Sequence, residues 1–169
     1  MSDESVTIRK MQASDLDVVR SWRNHSDVRL HMLTQHEITP EEHSQWFAAV
    51  EKNPLKQVML VYEEKKPLGL VHFSAEKNDG VMDWGFYLVP HSPKGSGSKL
   101  ARKALNFAFK QQGWHKVCGQ VISTNTASRR FHLKTGFMLE GVLRQQAKIN
   151  HEWLSLWCFG LLATDWISQ

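Results

Sequence analysis

A short glycine-rich loop is the most informative stretch of this 169-residue chain. Lys94-Gly95-Ser96-Gly97-Ser98-Lys99 follows an apolar, strand-like run and precedes a run with helical spacing. Glycines let a backbone approach a ligand closely, and the unpaired N–H groups at a helix start favour an anion. The loop is therefore suited to a diphosphate, with Lys94 and Lys99 adding positive charge. The alternative is an ordinary strand-to-helix turn, because the glycine spacing fits neither a P-loop nor a dinucleotide fingerprint.

A second polar segment follows the next strand-like run. Asn125 can cap a short helix and also offer its side-chain amide to a ligand. That helix contains His132, whose imidazole titrates near physiological pH, and it ends at Gly136. His132 is therefore either a proton donor or a helix residue that is merely packed or solvated.

Two ionisable residues share one face of the strand that leads into the glycine-rich loop. Asp83 and Tyr87 lie four residues apart, and Gly85 lies between them without blocking that face. Asp83 is a candidate base or a sheet-edge partner, and Tyr87 is a candidate base or a pocket wall. His43 is a third candidate, and a relayed water is a further alternative. The identity of the base stays open.

The elements that must position these residues mix helix and strand. Helices are predicted at about 14–23, from Thr39-Pro40-Glu41-Glu42 onwards, at 99–112 and at 126–135, and the second has a clear capping signal. Six strands are predicted, at 57–63, 68–75, 81–89, 116–123, 137–146 and 152–159, with a short one at 6–9. We predict an α+β fold, a largely antiparallel twisted central sheet flanked by helices, in one domain over residues 1–169.

Composition narrows the function classes. A net charge of +4 suits an anionic cofactor or substrate but is too mild to indicate nucleic-acid binding. No apolar run approaches the roughly 20 residues of a membrane span, and the polar start argues against a signal peptide. A cytoplasmic location without a membrane partner is expected. The histidines and cysteines lack zinc-site spacing, so no metal is expected. An exposed cluster of Trp153, Trp157 and Trp166 would indicate a homodimer, whereas buried ones would be core.

Two segments together resemble the GNAT superfamily of acetyltransferases. They are Lys94-Gly95-Ser96-Gly97, which matches the end of the motif Q/R-x-x-G-x-G/A, and the later segment from Asn125 to Gly136-Phe137. Ser92 stands where Gln or Arg is usual, which removes one side-chain contact but leaves the backbone donors. The resemblance covers about residues 6–155. It implies acetyl-CoA as co-substrate and direct attack of an amine on the thioester.

The resemblance also implies roles for individual residues. Leu88 and Val89 would pair with the pantetheine amides, and Asn125 would touch the pantetheine arm. The pyrophosphate would be held by the loop residues Lys94, Gly95, Ser96, Gly97 and Ser98, with Lys99 nearby. His132 occupies the position where the family often has a tyrosine that protonates the departing thiolate. His132 is therefore the expected acid.

A narrower resemblance points to the acceptor. Trp22-Arg23-Asn24-His25, Trp84-Gly85-Phe86-Tyr87 and Glu140-Gly141-Val142-Leu143-Arg144 resemble N-acetyltransferases of the pseudaminic acid pathway. Those enzymes acetylate the 4-amino group of UDP-4-amino-4,6-dideoxy-N-acetyl-altrosamine, which implies a nucleotide-sugar partner. Arginines suit a diphosphate. The implied acceptor residues are Arg23, Asn24, Arg29, Met32, His43, Trp46 and Trp84. Solvated charges for the arginines and core packing for Trp46 are the alternatives.

Two other functions stay open. The Glu140 to Arg144 element is shared with ribosomal-protein alanine N-acetyltransferases, so a protein N-terminal acetyltransferase is one alternative. A non-catalytic acyl-CoA-binding module is the other, and it is favoured by Ser92 and His132, which depart from the family pattern.

Overall fold

The computed structural model describes residues 5–167 and contains one seven-stranded sheet in the order β1-β2-β3-β4-β5-β7-β6. Neighbouring strands are antiparallel except β4 and β5, which are parallel. This mainly antiparallel sheet confirms the predicted α+β class. The strands are β1 (Val6–Lys10), β2 (Lys56–Glu63), β3 (Lys66–Ser74), β4 (Val81–Leu88), β5 (Lys116–Ile122), β6 (Met138–Ile149) and β7 (Glu152–Leu162).

Helices pack on both faces of this sheet. Ala13–Asp15 forms a 3₁₀ turn before the first helix, and the π-helical segment Phe107–Gln111 extends the fourth. The helices are α1 (Leu16–Asn24), α2 (Ser26–Arg29), α3 (Pro40–Glu51), α4 (Ser96–Asn106), α5 (Thr126–Thr135) and α6 (Ala163–Ile167).

The start of α3 follows the predicted capping signal. The Thr39 hydroxyl accepts a hydrogen bond from the Glu42 amide at 3.2 Å, and the Glu42 carboxylate accepts one from the Thr39 amide at 2.8 Å. Each side chain thus satisfies an N–H group that the helix itself leaves unpaired. The capping box fixes where α3 begins.

Two helix starts differ from the sequence expectation. Helix α1 begins at Leu16 instead of being capped by Ser14, because the Asp15 carboxylate accepts from the Gln12 amide at 2.8 Å and closes the 3₁₀ turn. Helix α4 begins three residues early, at Ser96, because Gly95 has a φ of 94° and serves as its N-cap. Glycine adopts that left-handed conformation without a steric penalty. The glycine-rich loop therefore reaches into the helix.

Each face of the sheet has its own apolar core. On one face α4 and α5 cover a cluster that includes Val71, Phe73, Trp84, Leu100 and Phe159. On the other face α1 and α3 cover a smaller cluster, which includes Val19, Trp22, Phe47, Leu60 and Leu70. Strand β4 lies between the two, so alternate side chains along it point to opposite faces.

The sheet is split at the strand that ends in the glycine-rich loop. Strands β4 and β5 are paired from Val81↔Lys116 to Trp84↔Gly119, and no pairing follows although both strands continue. Beyond this point the edge of β4 that faces β5 carries backbone groups without a strand partner. Such a gap admits an extended ligand that can supply hydrogen bonds.

The closing hairpin of β6 and β7 forms as predicted, but the tryptophans of β7 and α6 do not form an exposed cluster. Trp153 is 58% exposed, Trp157 lies under the Arg129 guanidinium at 3.3 Å, and Trp166 packs against the larger core. An exposed tryptophan cluster that would indicate a homodimer interface is therefore not present at these three residues. Within residues 5–167 we find no helix with the length and hydropathy needed to span a bilayer.

Candidate active site

A cavity of about 1230 Å³ passes through the split between β4 and β5. It is lined by residues from both faces of the sheet, and these form two sides. The loop side consists of Ser92, Gly97, Asn125, Ser128 and Phe131, and the helix side consists of Arg23, Met32, His43, Trp46 and Tyr87. The two predicted groups of residues are thus joined by one space.

The amino end of α4 opens onto the loop side. The Ser96 amide donates to the Pro93 carbonyl at 3.1 Å, whereas the amides of Gly97 and Ser98 have no acceptor among the described residues. A Cβ on Gly97 would lie 3.4 Å from the Phe131 ring, so a larger side chain would crowd the cavity. Two free donors at the positive end of a helix form a site for an anion.

The lysines of the loop contribute unequally. The Lys99 ammonium forms an ion pair with the Glu63 carboxylate on β2, which compensates its charge. Lys94 is exposed, and no ion pair involves it among residues 5–167. Lys94 thus remains a candidate for an anion, and the predicted role of Lys99 is weakened.

The end of β4 separates Leu88 from Val89. The Val89 amide donates to the Leu68 carbonyl at 2.9 Å, and the Val89 carbonyl accepts from the Ser92 amide and hydroxyl. Because these bonds occupy both of its backbone groups, the expectation that Val89 pairs with pantetheine amides does not fit. Leu88 lines the cavity beyond the last β4–β5 pair, so it remains a candidate for that role.

Asn125 has the position expected for a ligand contact. Its Oδ1 accepts from the Ser128 amide at 3.1 Å and thereby caps α5. The side chain also lines the cavity, and the cap leaves its Nδ2 group for a ligand. The dual role predicted for Asn125 is compatible with this geometry.

His132 lies in an aromatic cluster on the loop side and is one of the residues that line the cavity. Its Nδ1 lies 2.8 Å from the Ser128 carbonyl, so that nitrogen carries the proton, and its Nε2 accepts from the Trp84 indole at 3.2 Å. Burial lowers the pKa of His132, and the residue is only 3% exposed. Both ring nitrogens are engaged and the ring is neutral, which argues against the predicted role as acid for the thiolate.

Trp84 is not on the acceptor side as predicted. Its side chain is buried in the larger core, where it donates to His132 and stacks on Phe137 at 5.1 Å. The period of two along β4 places Trp84 opposite to Asp83, Gly85 and Tyr87. Trp84 therefore lines the cavity from the loop side and lies on the face opposite to an acceptor that enters between α1 and α3.

Arg23 lines the helix side of the cavity, as predicted, and the carboxylates of Asp27, Glu42 and Asp83 line the same cavity. One guanidinium nitrogen donates to the Thr34 carbonyl at 2.8 Å. The other, Nη1, is buried and has no partner among the described residues. Burial lowers the pKa of Arg23, which the nearby Tyr87 opposes and Arg29 reinforces. An enclosed guanidinium N–H without an acceptor is costly unless a ligand supplies one.

Asn24 and Arg29 do not line this cavity. The Asn24 amide exchanges two hydrogen bonds with the Ile38 backbone, at 2.9 and 2.7 Å. Arg29 donates to the Gln35 carbonyl at 2.9 Å and lines a separate cleft between this segment and the closing hairpin. Asn24 thus holds the segment 34–38 against α1 and Arg29 holds it against α2, so their predicted substrate contacts are not supported.

His43 and Trp46 form a stacked pair on the helix side. Their ring centroids are 5.2 Å apart with an interplanar angle of 20°. His43 is buried and its Nε2 has no partner among the described residues, whereas Trp46 is 38% exposed. Burial, together with Arg20 and Arg23, lowers the pKa of His43. Trp46 is therefore no core residue, and with Met32 it forms an apolar wall of the cavity.

The two base candidates on β4 titrate in the same direction. Burial raises the pKa of Asp83, and Glu76 adds to this effect. Burial also raises the pKa of Tyr87, which Arg23 opposes. A tyrosine with a raised pKa keeps its proton near pH 7, which argues against Tyr87 as a base and favours its role as a pocket wall.

Sequence reasoning overlooked His72 on β3. The register pairs His72 with Gly85, and a Cβ on Gly85 would lie 2.1 Å from the His72 Nε2. The imidazole therefore occupies the space that Gly85 leaves empty, and it lines the cavity. A glycine between Trp84 and Phe86 was the available signal, because a glycine inside a strand often marks a close approach.

Within residues 5–167, one group of side chains lies close enough together to hold a metal ion. His25, Asp27 and His91 each place a ligand atom within 4.8 Å of the other two. The His25 Nδ1, however, accepts from the Asp27 amide at 3.2 Å and caps α2. That use accounts for the proximity of His25 and Asp27 without an ion.

Comparisons with known proteins agree on one activity. A family profile described as an acetyltransferase (GNAT) domain matches residues 5–138. Acetyltransferase PseH from Campylobacter jejuni (serotype O:23/36) is 22% identical over 130 residues, which are 77% of this chain and 81% of that protein. The SPbeta prophage-derived uncharacterized N-acetyltransferase YokL from Bacillus subtilis is 25% identical over 94% of this chain and 90% of its own length.

A solved structure has the same fold. The spermidine N-acetyltransferase from Vibrio cholerae, in complex with CoA and spermine, superimposes with a TM-score of 0.87. The alignment covers 97% of this chain and 99% of the other at 19% identity. At this identity the likeness establishes the architecture and leaves the acceptor open.

Proposed function

The chain belongs to the GNAT acetyltransferase family and is an N-acetyltransferase, and we propose that it acetylates the amine of an anionic sugar nucleotide with acetyl-CoA as donor. The acceptor proposed is the 4-amino group of a UDP-linked 4-amino-4,6-dideoxy sugar. The distant relation to PseH is consistent with this choice. A reaction between two such metabolites also suits the predicted cytoplasmic location.

The loop side fits a CoA diphosphate. The free amides of Gly97 and Ser98 lie at the amino end of α4, and the left-handed Gly95 places them there. The unpaired edge of β4 and the Asn125 amide would hold the pantetheine arm along the split. CoA supplies an activated acetyl thioester, while the residues of the chain orient it through the backbone.

The observation that carries the acceptor proposal is the unpaired Nη1 of Arg23. Arg23 is half-buried, and a guanidinium on a cavity wall with a buried, unpaired nitrogen attracts phosphate or carboxylate oxygens. Within residues 5–167, the Nη1 of Arg23 has no hydrogen-bond acceptor, and Arg23 forms no ion pair with a carboxylate. A diphosphate oxygen would satisfy this donor and thereby fix the orientation of the acceptor.

The stacked rings next to Arg23 suit the remainder of a sugar nucleotide. Trp46 offers a half-exposed aromatic face that His43 supports from below, and Met32 adds an apolar contact. Planar heterocycles stack on such faces. The pocket thus combines a cation for the diphosphate with an apolar wall for a base or a sugar methyl group.

Two other acceptor classes are less well served. A polyamine, the ligand named for the Vibrio cholerae structure, is polycationic. The carboxylates of Asp27, Glu42 and Asp83 in the cavity lining would attract it, but it would leave the buried Nη1 of Arg23 without an acceptor. A basic peptide terminus, as expected of a protein N-terminal acetyltransferase, would leave the same nitrogen unpaired. A non-catalytic acyl-CoA-binding module would need only the loop side, so it would not account for the acceptor pocket on the helix side.

A thiol-release assay tests the proposal. Acetyl-CoA is incubated with the protein and, separately, with UDP-4-amino-4,6-dideoxy-N-acetyl-altrosamine, an alanine-starting peptide and spermidine. Release of CoA thiol with the sugar nucleotide alone is the expected result. Release only with the peptide or only with spermidine would refute the acceptor proposal. Binding of acetyl-CoA by calorimetry, without release on any acceptor, would refute the enzymatic role.

A further inference from the structure

We propose that His72 is the catalytic base, which takes the proton from the acceptor amine as that amine attacks the thioester. The proposal rests on acetyl transfer to an amine but not on the identity of the acceptor. It assigns a role to a residue that is exposed to the cavity and that belongs neither to the glycine-rich loop nor to the Arg23 site.

The position of His72 follows from strand register. His72 on β3 is paired with Gly85 on β4, and Gly85 is the first β4 residue beyond the last pair with β5, Trp84↔Gly119. The imidazole therefore lies at the vertex where the two strands begin to separate. An acyl chain that follows the split from the loop side must reach the helix face at this vertex.

The space for the imidazole depends on the absence of a side chain at residue 85. A Cβ there would lie 2.1 Å from Nε2 and 2.7 Å from Cε1 of His72, closer than atoms in contact can come. The glycine has a second consequence, since it leaves the Nε2 edge of the ring beside a bare stretch of β4 backbone. His72 and Gly85 together therefore place the Nε2 of His72 at the vertex.

The surroundings of His72 keep its ring neutral. The residue is open to the cavity, but protein surrounds it on the other sides, and this desolvation lowers its pKa, with a further contribution from Lys56 on β2. No hydrogen bond to the ring is found among residues 5–167, so its lone pair is available. The other ionisable groups on this face of β4 are Asp83 and Tyr87, both held towards their neutral forms by burial.

The proton balance of the step is simple. The amine nitrogen forms a bond to the thioester carbonyl carbon, the C–S bond breaks, and the thiolate of CoA leaves. The proton that the nitrogen loses passes to His72, and the imidazolium delivers it to the departing thiolate, directly or through water. The products are the amide and CoA thiol, and His72 is again neutral.

Substitution and chemical rescue test this role. His72→Ala should lower kcat by about 100-fold or more, the usual contribution of a general base, while the Kd of acetyl-CoA stays within about twofold. The vacated space above Gly85 should admit free imidazole, which should restore a measurable part of kcat. The exposed His115, which lies outside the cavity lining, provides the control His115→Ala with unchanged kcat. A kcat within about twofold of wild type, or a loss that imidazole leaves unrestored, would overturn the proposal.

A double-mutant cycle tests the Gly85 contact separately. Gly85→Ala should displace the imidazole and lower kcat almost as much as His72→Ala. In the His72→Ala background the same Gly85→Ala change should have little further effect, because the ring it displaces is gone. If the kcat losses of the two single variants added fully in the double variant, Gly85 would act independently of His72. The proposal that Gly85 makes room for the His72 ring would then be wrong.

The acceptor proposal and the His72 proposal fail in different ways. The tests above use whichever of the sugar nucleotide, the alanine-starting peptide or spermidine supports turnover. If the sugar nucleotide is inactive and another amine is acetylated, the acceptor proposal falls while the dependence on His72 is still measured. If the sugar nucleotide is acetylated and His72→Ala retains full kcat, only the role of His72 falls.

Discussion

The two sides of the cavity use different chemistry to hold a ligand. The loop side presents backbone N–H groups at the amino end of α4, and its lysine at residue 99 is neutralised by Glu63. The helix side presents side chains, with the Arg23 guanidinium and the stacked pair of His43 and Trp46. Most substitutions leave backbone N–H donors in place, whereas a substitution on the helix side changes the side chain that would contact the ligand. The loop side is thus suited to the donor that all members of the family share, and the helix side to an acceptor that differs among them.

A bulky residue at the loop side should have the largest effect. Gly97→Val would place methyl groups against Phe131 and over the free amides, because the Cβ alone comes within 3.4 Å of the ring. We expect the Kd of acetyl-CoA to rise about 100-fold, as loss of charge-assisted hydrogen bonds implies, measured by calorimetry. Gly141→Val is the matched control, because a Cβ at Gly141 meets no atom within 4 Å. Equal affinities for the two variants would contradict a backbone anion site.

Removing the charge on the helix side should have the next largest effect and should act on the other substrate. Arg23→Gln should raise the KM of the anionic acceptor about 10- to 100-fold, the range expected for one charge-assisted contact. The Kd of acetyl-CoA should not change. Steady-state kinetics with Arg144→Gln, an exposed arginine on β6, provide the control. If Arg23→Gln instead weakened acetyl-CoA binding, the division into two sides would be wrong.

His132 should affect stability more than catalysis. His132→Leu leaves the buried Trp84 indole without an acceptor, which costs about 1–3 kcal/mol of unfolding free energy. We expect kcat to stay within about threefold of wild type, below the contribution of a general acid. A folded variant with a kcat reduced 100-fold or more would restore the acid role predicted from the sequence.

The same residue should contribute to the pH dependence of stability. Burial lowers the pKa of His132 below its usual 6.5, so the folded state binds its proton less readily than the unfolded state. Its contribution to stability is therefore complete above pH 6.5 and is lost as the pH falls towards the lowered pKa. Chemical denaturation between pH 7.5 and about pH 5 should show a smaller slope for His132→Leu than for wild type. The remaining slope includes His43 and His72, whose pKa values are also lowered by burial.

A charge change at the loop side should have the smallest effect. Lys99→Gln removes an ammonium that is already paired with Glu63 at the surface, and such ion pairs contribute about 0–1 kcal/mol. We expect the KM of acetyl-CoA to change less than about threefold. An increase as large as that of Gly97→Val would show that Lys99 leaves Glu63 for the ligand.

The loop side was predicted from sequence because its signals are local. Gly95 and Gly97 determine a turn and a helix start within four residues, and Asn125 and Gly136 delimit α5 in the same way. The start of α4 was placed three residues late, because helical spacing does not reveal that a left-handed glycine can be the N-cap. The capping box at Thr39 and Glu42 was predicted correctly for the same local reason.

The amino-acid sequence alone was enough to predict the α+β class, the loop of backbone donors and the GNAT family. Only the tertiary structure decided which side chains face the cavity. It paired Trp84 with His132 on the buried loop side of the cavity, used Asn24 and Arg29 to hold a loop, and placed His72 over Gly85. The physical reason is that caps and turns arise from bonds between near neighbours in sequence. The orientation of a side chain towards a ligand instead depends on strand register and on packing between distant elements.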